Sequence, residues 1–410
     1  MKVWVKLLIG AILGITLGFL LPSDNQRVMT ALAWLERMAL NIGRYAVIPV
    51  LVFSLTMAIY ELRQDGQFWP LVFKNVLFII GASLFVIVAG VLVTMAFPPA
   101  RVPILIEEQL ESISLHTAEN ILDLFPSNML SVLGGETVFL FPLCVFAFFL
   151  GIGLSYDRNY TKPVIALVDS LSRIFYHIAS FFSELLGFIV IVLSCYWAIR
   201  FHNVLRTDVF RELIILLGVF SAILGFGILP LLLYLLRPKT NPWGIMYGSL
   251  GPALTAFFSG DMNFSLPVLL RHSKENFGIR RRSGALSMIL FSTFCRGGSA
   301  MTAAIAFIVI IKSYSSLGIT SLDVVSICFQ AFVISFLLAR HPGNGAYAAL
   351  VALCLSYGRG FEAGHLILKP LAFYLIAVGT FLDVMICSFA SYAVARISGM
   401  AEEKKRVHFI

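Results

Sequence analysis

The sequence predicts an all-α polytopic membrane protein, and three observations predict it. Hydrophobic residues fill 59% of the 410 positions and charged residues only 13%, with a mean hydropathy of +0.91, whereas a water-soluble domain is roughly a quarter charged. Apolar runs of about the 20 residues that a helix needs to cross a bilayer core recur near 7–21, 43–60, 71–97, 137–155, 175–200 and 210–236. Between 245 and 400 the apolar stretches continue, but SGDMN (259–263), CRGG (295–298) and HPGNG (341–345) break them.

The first run, in MKVWVKLLIGAILGITLGFLLP, lacks an A-x-A-like cleavage site and continues the pattern of the later spans. It reads as a retained first helix, with Lys2 and Lys6 on the cytoplasmic side. Segment 99–120 carries Glu107, Glu108, Glu111 and Glu119 against one arginine, which predicts an extracytoplasmic loop. Basic loops at 158–162, 237–239, 271–282 and 404–406 then fall in the cytoplasm; the loop at 200–211, with Arg200, Arg206 and Arg211, is a minor exception. Both termini are expected on the cytoplasmic face of the cell (inner) membrane. The formal charge of +8 is concentrated in such loops, where it sets topology at a lipid surface rather than gripping nucleic acid. The six cysteines lie in apolar runs without CxxC spacing and read as small core residues.

The broken last third carries the functional information. Irregular backbone at membrane depth survives only where protein or a water-filled cavity satisfies its N–H and C=O groups, so interrupted spans point to a transporter's binding site. An arginine at that depth is costly and is rarely idle.

Several stretches taken in order resemble the dicarboxylate/amino acid:cation symporter family, the glutamate-transporter homologues. LLIGAILGITLGFLLP resembles its first helix, and AVIPVLVFSLTMAIYELRQDG (46–66) its second. NILDLFPSNMLSVL (120–133) is similar to the segment before its fourth span. GPALTAFFSGDMNFSLPVLLRHSKENFGI (251–279) and HPGNGAYAAL (341–350) resemble its two hairpins, and AVGTFLDVMICSFASYAVARI (377–397) its last helix. The resemblance implies eight transmembrane helices plus two re-entrant helical hairpins, in an elevator-type arrangement. Residues 1–240 would be mainly scaffold and trimerisation helices, with parts of the third and sixth spans in the transport domain. Residues 241–400 would form that transport domain (first hairpin, broken seventh helix, second hairpin, last helix), and 401–410 a cytoplasmic tail. A homotrimer in the lipid bilayer, carrying a small anionic or zwitterionic substrate, follows from the same resemblance.

The family's site maps onto this chain residue by residue. The first hairpin's serine-rich tip corresponds to Ser259-Gly260-Asp261-Met262-Asn263-Phe264-Ser265, so Asp261 stands where relatives place hydroxyls; Asp261, Met262 and Asn263 are candidate substrate contacts. A solvated loop aspartate is the competing reading of Asp261. The family's Asn-Met-Asp-Gly-Thr, which unwinds the seventh helix and holds sodium, falls on Cys295, Arg296, Gly297, Gly298 and Ser299, with a one-residue shift as the other register. In either register the sodium-ligand aspartate is gone and Arg296 stands in or beside the site. A guanidinium has five donors and no acceptor, so it cannot ligate a cation. At about 1.5 Å of rise per residue, the dozen residues back to the basic loop are too many for full snorkelling.

In the last helix Asp383 matches the aspartate that relatives use for a substrate amino group. The next family positions, Arg, Thr, Asn and Asp, are Ile386, Cys387, Ala390 and Val394, and the run FIIGAS (78–83) lacks the tyrosine and threonine of the remaining sodium site. The oxygen cage that a hard cation needs is largely dismantled. The expected substrate contacts are therefore Asp261, Met262, Asn263, Arg296, Gly297, Ser299, Pro342, Gly343, Asn344, Gly345, Asp383 and Cys387. No cofactor or metal ligand is expected, sodium coupling is disfavoured, and proton coupling through Asp261, Asp383 or His341 is the other route. Arg296 would pair with Asp383, with Asp261 or with a substrate carboxylate, acting as fixed cation or anion ligand. Conventional sodium symport and a channel-like or non-transporting sensor are the alternatives of the same fold. From a different class, Gly297-Gly298-Ser299 with His341 or His365 matches the weak GxS pattern of an intramembrane serine protease.

Overall fold

The computed structural model describes residues 2–22, 25–103, 133, 139–156, 158–206, 208–236, 241–314, 319–358 and 360–402. Most of the acidic segment 99–120, nearly all of 120–133, the basic loop 237–239 and the tail at 404–406 lie outside them. Among the described residues the regular structure is helical, apart from one isolated bridge between Ile279 and Ala401.

The chain runs through α1 (Val3–Leu20), α2 (Gln26–Arg44), α3 (Val47–Gln64), α4 (Phe68–Ala96), α5 (Phe141–Gly153) and α6 (Arg158–Leu205). Helix α7 (Arg211–Ile223) passes through a π-helical turn, Leu224–Ile228, into α8 (Leu229–Leu236). Three helix pairs and one long helix follow: α9 (Pro242–Ser259) with α10 (Met262–Glu275), the first hairpin; α11 (Arg281–Phe294) with α12 (Gly297–Tyr314); α13 (Ser321–Leu337) with α14 (Gly345–Tyr357), the second hairpin; and α15 (Ala372–Ile397). Among the described residues, eight stretches are long and apolar enough to cross a membrane.

Three expectations about loops need correction. Residues 158–162 lie in the first turns of α6 and 200–205 in its last, and of 271–282 only 276–280 lie between α10 and α11. Charged side chains at a helix end reach water without opening the backbone ladder, so charge alone does not mark the boundary. The arginines of the 280–282 run also do more than face lipid headgroups. Arg281 Nη2 lies 2.7 Å from Asp169 Oδ1 on α6, and Arg282 pairs with Asp65 after α3.

Packing between α1 and α6 follows from small residues at every fourth position. A Cβ on Gly10 would meet the Gly187 carbonyl oxygen at 2.3 Å, and one on Gly14 would meet the Ile191 carbonyl oxygen at 2.3 Å. Only glycine lets the two backbones approach that closely, the usual logic of helix association in lipid. The last third is packed differently. Every side chain from Gly297 to Ile311 is buried, as are most on α15. These inner helices form the surface on which the breaks of the chain converge.

Candidate functional site

Helix α11 stops at Phe294 and α12 begins at Gly297, so Cys295 and Arg296 are the two non-helical residues between them. The sequence placed Gly297 and Gly298 in the unwound stretch. They are instead the first residues of α12, and their lack of side chains serves close approach. A Cβ at Gly297 would lie 2.7 Å from Ser83 Cα on α4, and one at Gly298 would lie 2.5 Å from Leu382 Cβ on α15. The seam wedges α12's first turn between two helices, and the chain uncoils just before it.

The free N–H groups at that helix start are satisfied by Asp383. Its Oδ1 accepts from Gly298 N at 2.8 Å and Ser299 N at 3.1 Å, and its Oδ2 accepts from Ser299 Oγ at 2.6 Å. A carboxylate here also complements the positive end of the α12 dipole. Arg296 completes the arrangement: its Nε lies 3.4 Å from Asp383 Oδ2, with the two side chains 1% and 0% exposed. Of the two aspartates the sequence offers Arg296, Asp383 is the one that lies beside it.

The guanidinium also reaches the second hairpin. Arg296 Nη2 donates to the Pro342 carbonyl at 3.1 Å and to the His341 carbonyl at 3.3 Å. Gly345 makes this contact possible, because a Cβ there would lie 2.6 Å from Nη2 and 3.1 Å from Ser299 Oγ. Arg296 Nε is buried without a hydrogen-bond acceptor of good geometry, so one strong donor remains unspent.

The first hairpin's tip joins through the same carbonyl. Gly260 ends α9 in the left-handed conformation, φ +62°, which glycine adopts without a Cβ clash. Asp261 then caps α10, accepting from Asn263 N at 2.8 Å, and Met262 N donates to the Pro342 carbonyl at 3.2 Å. The two hairpin tips are thus hydrogen-bonded to each other. Asp261 is buried and pairs with Arg44 at the end of α2, which sets aside the reading of a solvated loop aspartate. Gly343 lies beside this pair, a Cβ there coming 3.3 Å from Arg44 Nη2.

Most of the expected residues therefore come together: Arg296, Gly297, Ser299, Pro342, Gly345 and Asp383 around the buried pair, and Asp261, Met262, Asn263 and Gly343 around the second. Asn344 opens α14 and lines a neighbouring cavity. His341 contributes its carbonyl. Cys387 sits apart: its Sγ is 3.7 Å from Met288 Sδ on α11, one turn beyond the pair. Ile386 and Ala390 face an apolar cavity between α4, α8 and α15. The Ser299 hydroxyl donates to a carboxylate, and His365 Nδ1 is engaged by the Glu362 carbonyl at 2.9 Å, so neither forms a serine–imidazole pair with the other.

Arg44 escaped the sequence reading. It stood at the head of the apolar run 43–60, the place where an arginine ordinarily faces an interface. The signal that would have found it is Gly43-Arg44 ahead of an apolar helix: a Cβ at Gly43 would overlap the Phe264 ring, which brings α2 against the first hairpin.

Comparison with known proteins bears on this geometry. The model of the sodium:dicarboxylate symporter family matches residues 3–397. The proton/sodium-glutamate symport protein of Bacillus subtilis is 22% identical over 371 residues, covering 85% of this chain and 82% of that protein. The serine/threonine transporter SstT of Lacticaseibacillus casei is 25% identical over 386 residues, covering 91% and 79%. The human neutral amino acid transporter B(0) is 26% identical over 132 residues, covering 32% of this chain and 24% of the transporter. A match spanning nearly the whole chain, over an all-helical membrane architecture whose broken helices meet at buried charges, makes this chain a member of the sodium:dicarboxylate symporter family.

Proposed function

We propose that this protein is a secondary transporter of a small organic anion or amino acid in which a fixed internal cation, Arg296, stands where relatives use mobile ones. The observation that carries the proposal is the sealed guanidinium at the α11–α12 break, paired with Asp383 and donating to the Pro342 and His341 carbonyls. These carbonyls belong to the second hairpin's tip, so Arg296 ties that tip to the α11–α12 break. A substrate carboxylate would compete with them for Nη2 and use the unspent Nε, freeing the tip. A substrate ammonium would compete with Arg296 for Asp383.

The donor set fits poorly with sodium beside this arginine. Asp383 already accepts three hydrogen bonds, the nearest carbonyls serve the guanidinium, and a second cation would meet a like charge in a weakly screened interior. Two arginines and two aspartates cancel across the site, which favours a zwitterion over a net charge. In this reading residues 241–400 form an elevator with re-entrant hairpins, moving against a trimeric scaffold built mainly from residues 1–240, with both termini in the cytoplasm of the inner membrane. Transport is sodium-independent or proton-coupled.

The test is uptake of labelled L-serine, L-threonine and L-glutamate into liposomes holding the purified protein, with sodium and proton gradients imposed separately. Uptake without sodium is expected. A strict sodium requirement would return the chain to conventional symport, and flux that follows only the substrate gradient would identify an uncoupled pathway. Arg296→Ser separates direct contact from a structural role: unchanged substrate affinity would remove the contact.

A further inference from the structure

The geometry points to a second binding site, outside the Arg296–Asp383 centre, for a zwitterionic amphiphile of amino-acid type with a bulky aromatic or aliphatic side chain. A cavity of about 490 Å³ lies between α2, α6, the two hairpin tips and the start of α15, within the roughly 300–1,000 Å³ range of small-molecule sites. It is reached independently of how the central pair works, since Arg296, Ser299 and Asp383 do not line it.

Two opposite charges face this space without meeting. The Arg200 guanidinium lies 4.7 Å from the centroid of the Phe373 ring and 5.6 Å from that of Tyr196, contacts that fix its position. Among the described residues no carboxylate pairs with it within 4.0 Å and no acceptor takes its N–H groups. Glu36, half-buried on α2, lines the same cavity, and among the described residues it forms no direct ion pair. Arg44 also lines the cavity, but Asp261 already neutralises it. The unclaimed pair is therefore Glu36 and Arg200, and a ligand carrying ammonium and carboxylate on one carbon bridges such a gap. A pure anion would face Glu36, and a pure cation would face Arg200.

The remaining walls are aromatic and aliphatic, with Leu40, Leu193 and Ile376 beside the rings. Trp197 packs against Phe257 at 5.1 Å and Phe373 at 5.9 Å between ring centroids, and Phe258 and Tyr347 complete the lining. Trp197 Nε1 is buried with no hydrogen-bond partner. An indole N–H that is buried ordinarily finds an acceptor, and a carboxylate held by Arg200 from the same helix would supply one. Asn344 and Gly343 form the edge at the second hairpin's tip, so an occupant would rest on that tip.

The experiment is isothermal titration of the purified full-length protein in detergent with L-phenylalanine, 3-phenylpropionate and 2-phenylethylamine. L-phenylalanine should bind at least about tenfold more tightly than either singly charged analogue, the loss expected when one charge-assisted contact is removed. Arg200→Gln should weaken L-phenylalanine and phenylpropionate about tenfold and spare the amine. Glu36→Gln should weaken L-phenylalanine and the amine and spare the acid. Asp383→Asn, read only as a marker of the central site, should leave L-phenylalanine binding in place. No measurable binding of L-phenylalanine, equal binding of all three probes, or binding lost in Asp383→Asn but kept in the two cavity variants would each overturn the proposal. The ranking of probes by the wild-type protein decides the matter even where a variant fails to fold. Transport that proceeds while these titrations show nothing would remove this site alone and leave the transport reading standing.

Discussion

Arg296 and Asp383 are both sealed from solvent, 1% and 0% exposed, and belong to one packed body of inner helices. Arg44 meets an equally buried partner, Asp261, but keeps 19% of its side chain exposed and comes from α2, far away in sequence. The same two side-chain types thus do different work. Around the sealed pair protein donors replace water: two backbone N–H groups and a hydroxyl bond Asp383, and the guanidinium lies 3.4 Å away as its counter-charge. The half-wet pair joins the first hairpin's tip to the outer helices, where Arg44 alone reaches water. A buried pair is costly to break because one charge is left stranded; a pair with an exposed arm loses far less.

That contrast can be broken most forcefully at Asp383. Asp383→Ala should destabilise the protein by about 3–5 kcal/mol, as removal of one partner from a buried ion pair does, and a thermal melt in detergent should show a large drop. A melt within a degree of wild type would mean that Arg296 finds another acceptor. Gly345→Ala places a Cβ where Nη2 lies and should cost about 1–3 kcal/mol by overpacking. Uptake in liposomes should fall with it, and retained uptake would show that the guanidinium is free to shift.

Arg44→Gln should cost less, about 1–2 kcal/mol, because Asp261 keeps its bond from Asn263 N and water can reach the vacated side. A loss equal to that of Asp383→Ala would erase the distinction between the two pairs. The smallest effect belongs to Cys387→Ser. The new hydroxyl can bond the carbonyl four residues back, as those of Ser388 and Ser391 do, so stability should change by about 1 kcal/mol and substrate affinity in uptake assays not at all. A shifted affinity would restore Cys387 to the site.

Much of this was legible before any coordinates. The apolar runs, the three breaks, the hairpin tips, Arg296 and Asp383 follow from residue types that are costly at membrane depth and therefore stand out. What was hidden has a common cause. A helix read alone does not show its partner: α2 is amphipathic and carries Arg27, Glu36 and Arg37 besides Arg44, so one more arginine at its end resembles part of a solvated face rather than the partner of residue 261. Cys387 misled for a related reason: four residues past Asp383 it keeps nearly the same direction, but about 6 Å of rise carries it past the guanidinium to Met288. The glycines at 297 and 298 signalled a special backbone correctly, while their purpose, contact with Ser83 and Leu382, depends on helices over 200 residues before and over 80 residues after them.

Helix α6 runs unbroken for 48 residues, about 72 Å at a rise of 1.5 Å per residue, more than twice the roughly 30 Å thickness of a hydrocarbon core. At any tilt up to about 40°, the usual range for membrane helices, such a rod extends beyond the hydrocarbon core, and α1 is locked along it by glycine-thin contacts. It gives the molecule a built-in ruler: probe pairs with one label on the projecting end of α6 and the other on a hairpin would report displacement along the membrane normal directly, with no second copy of the chain as reference.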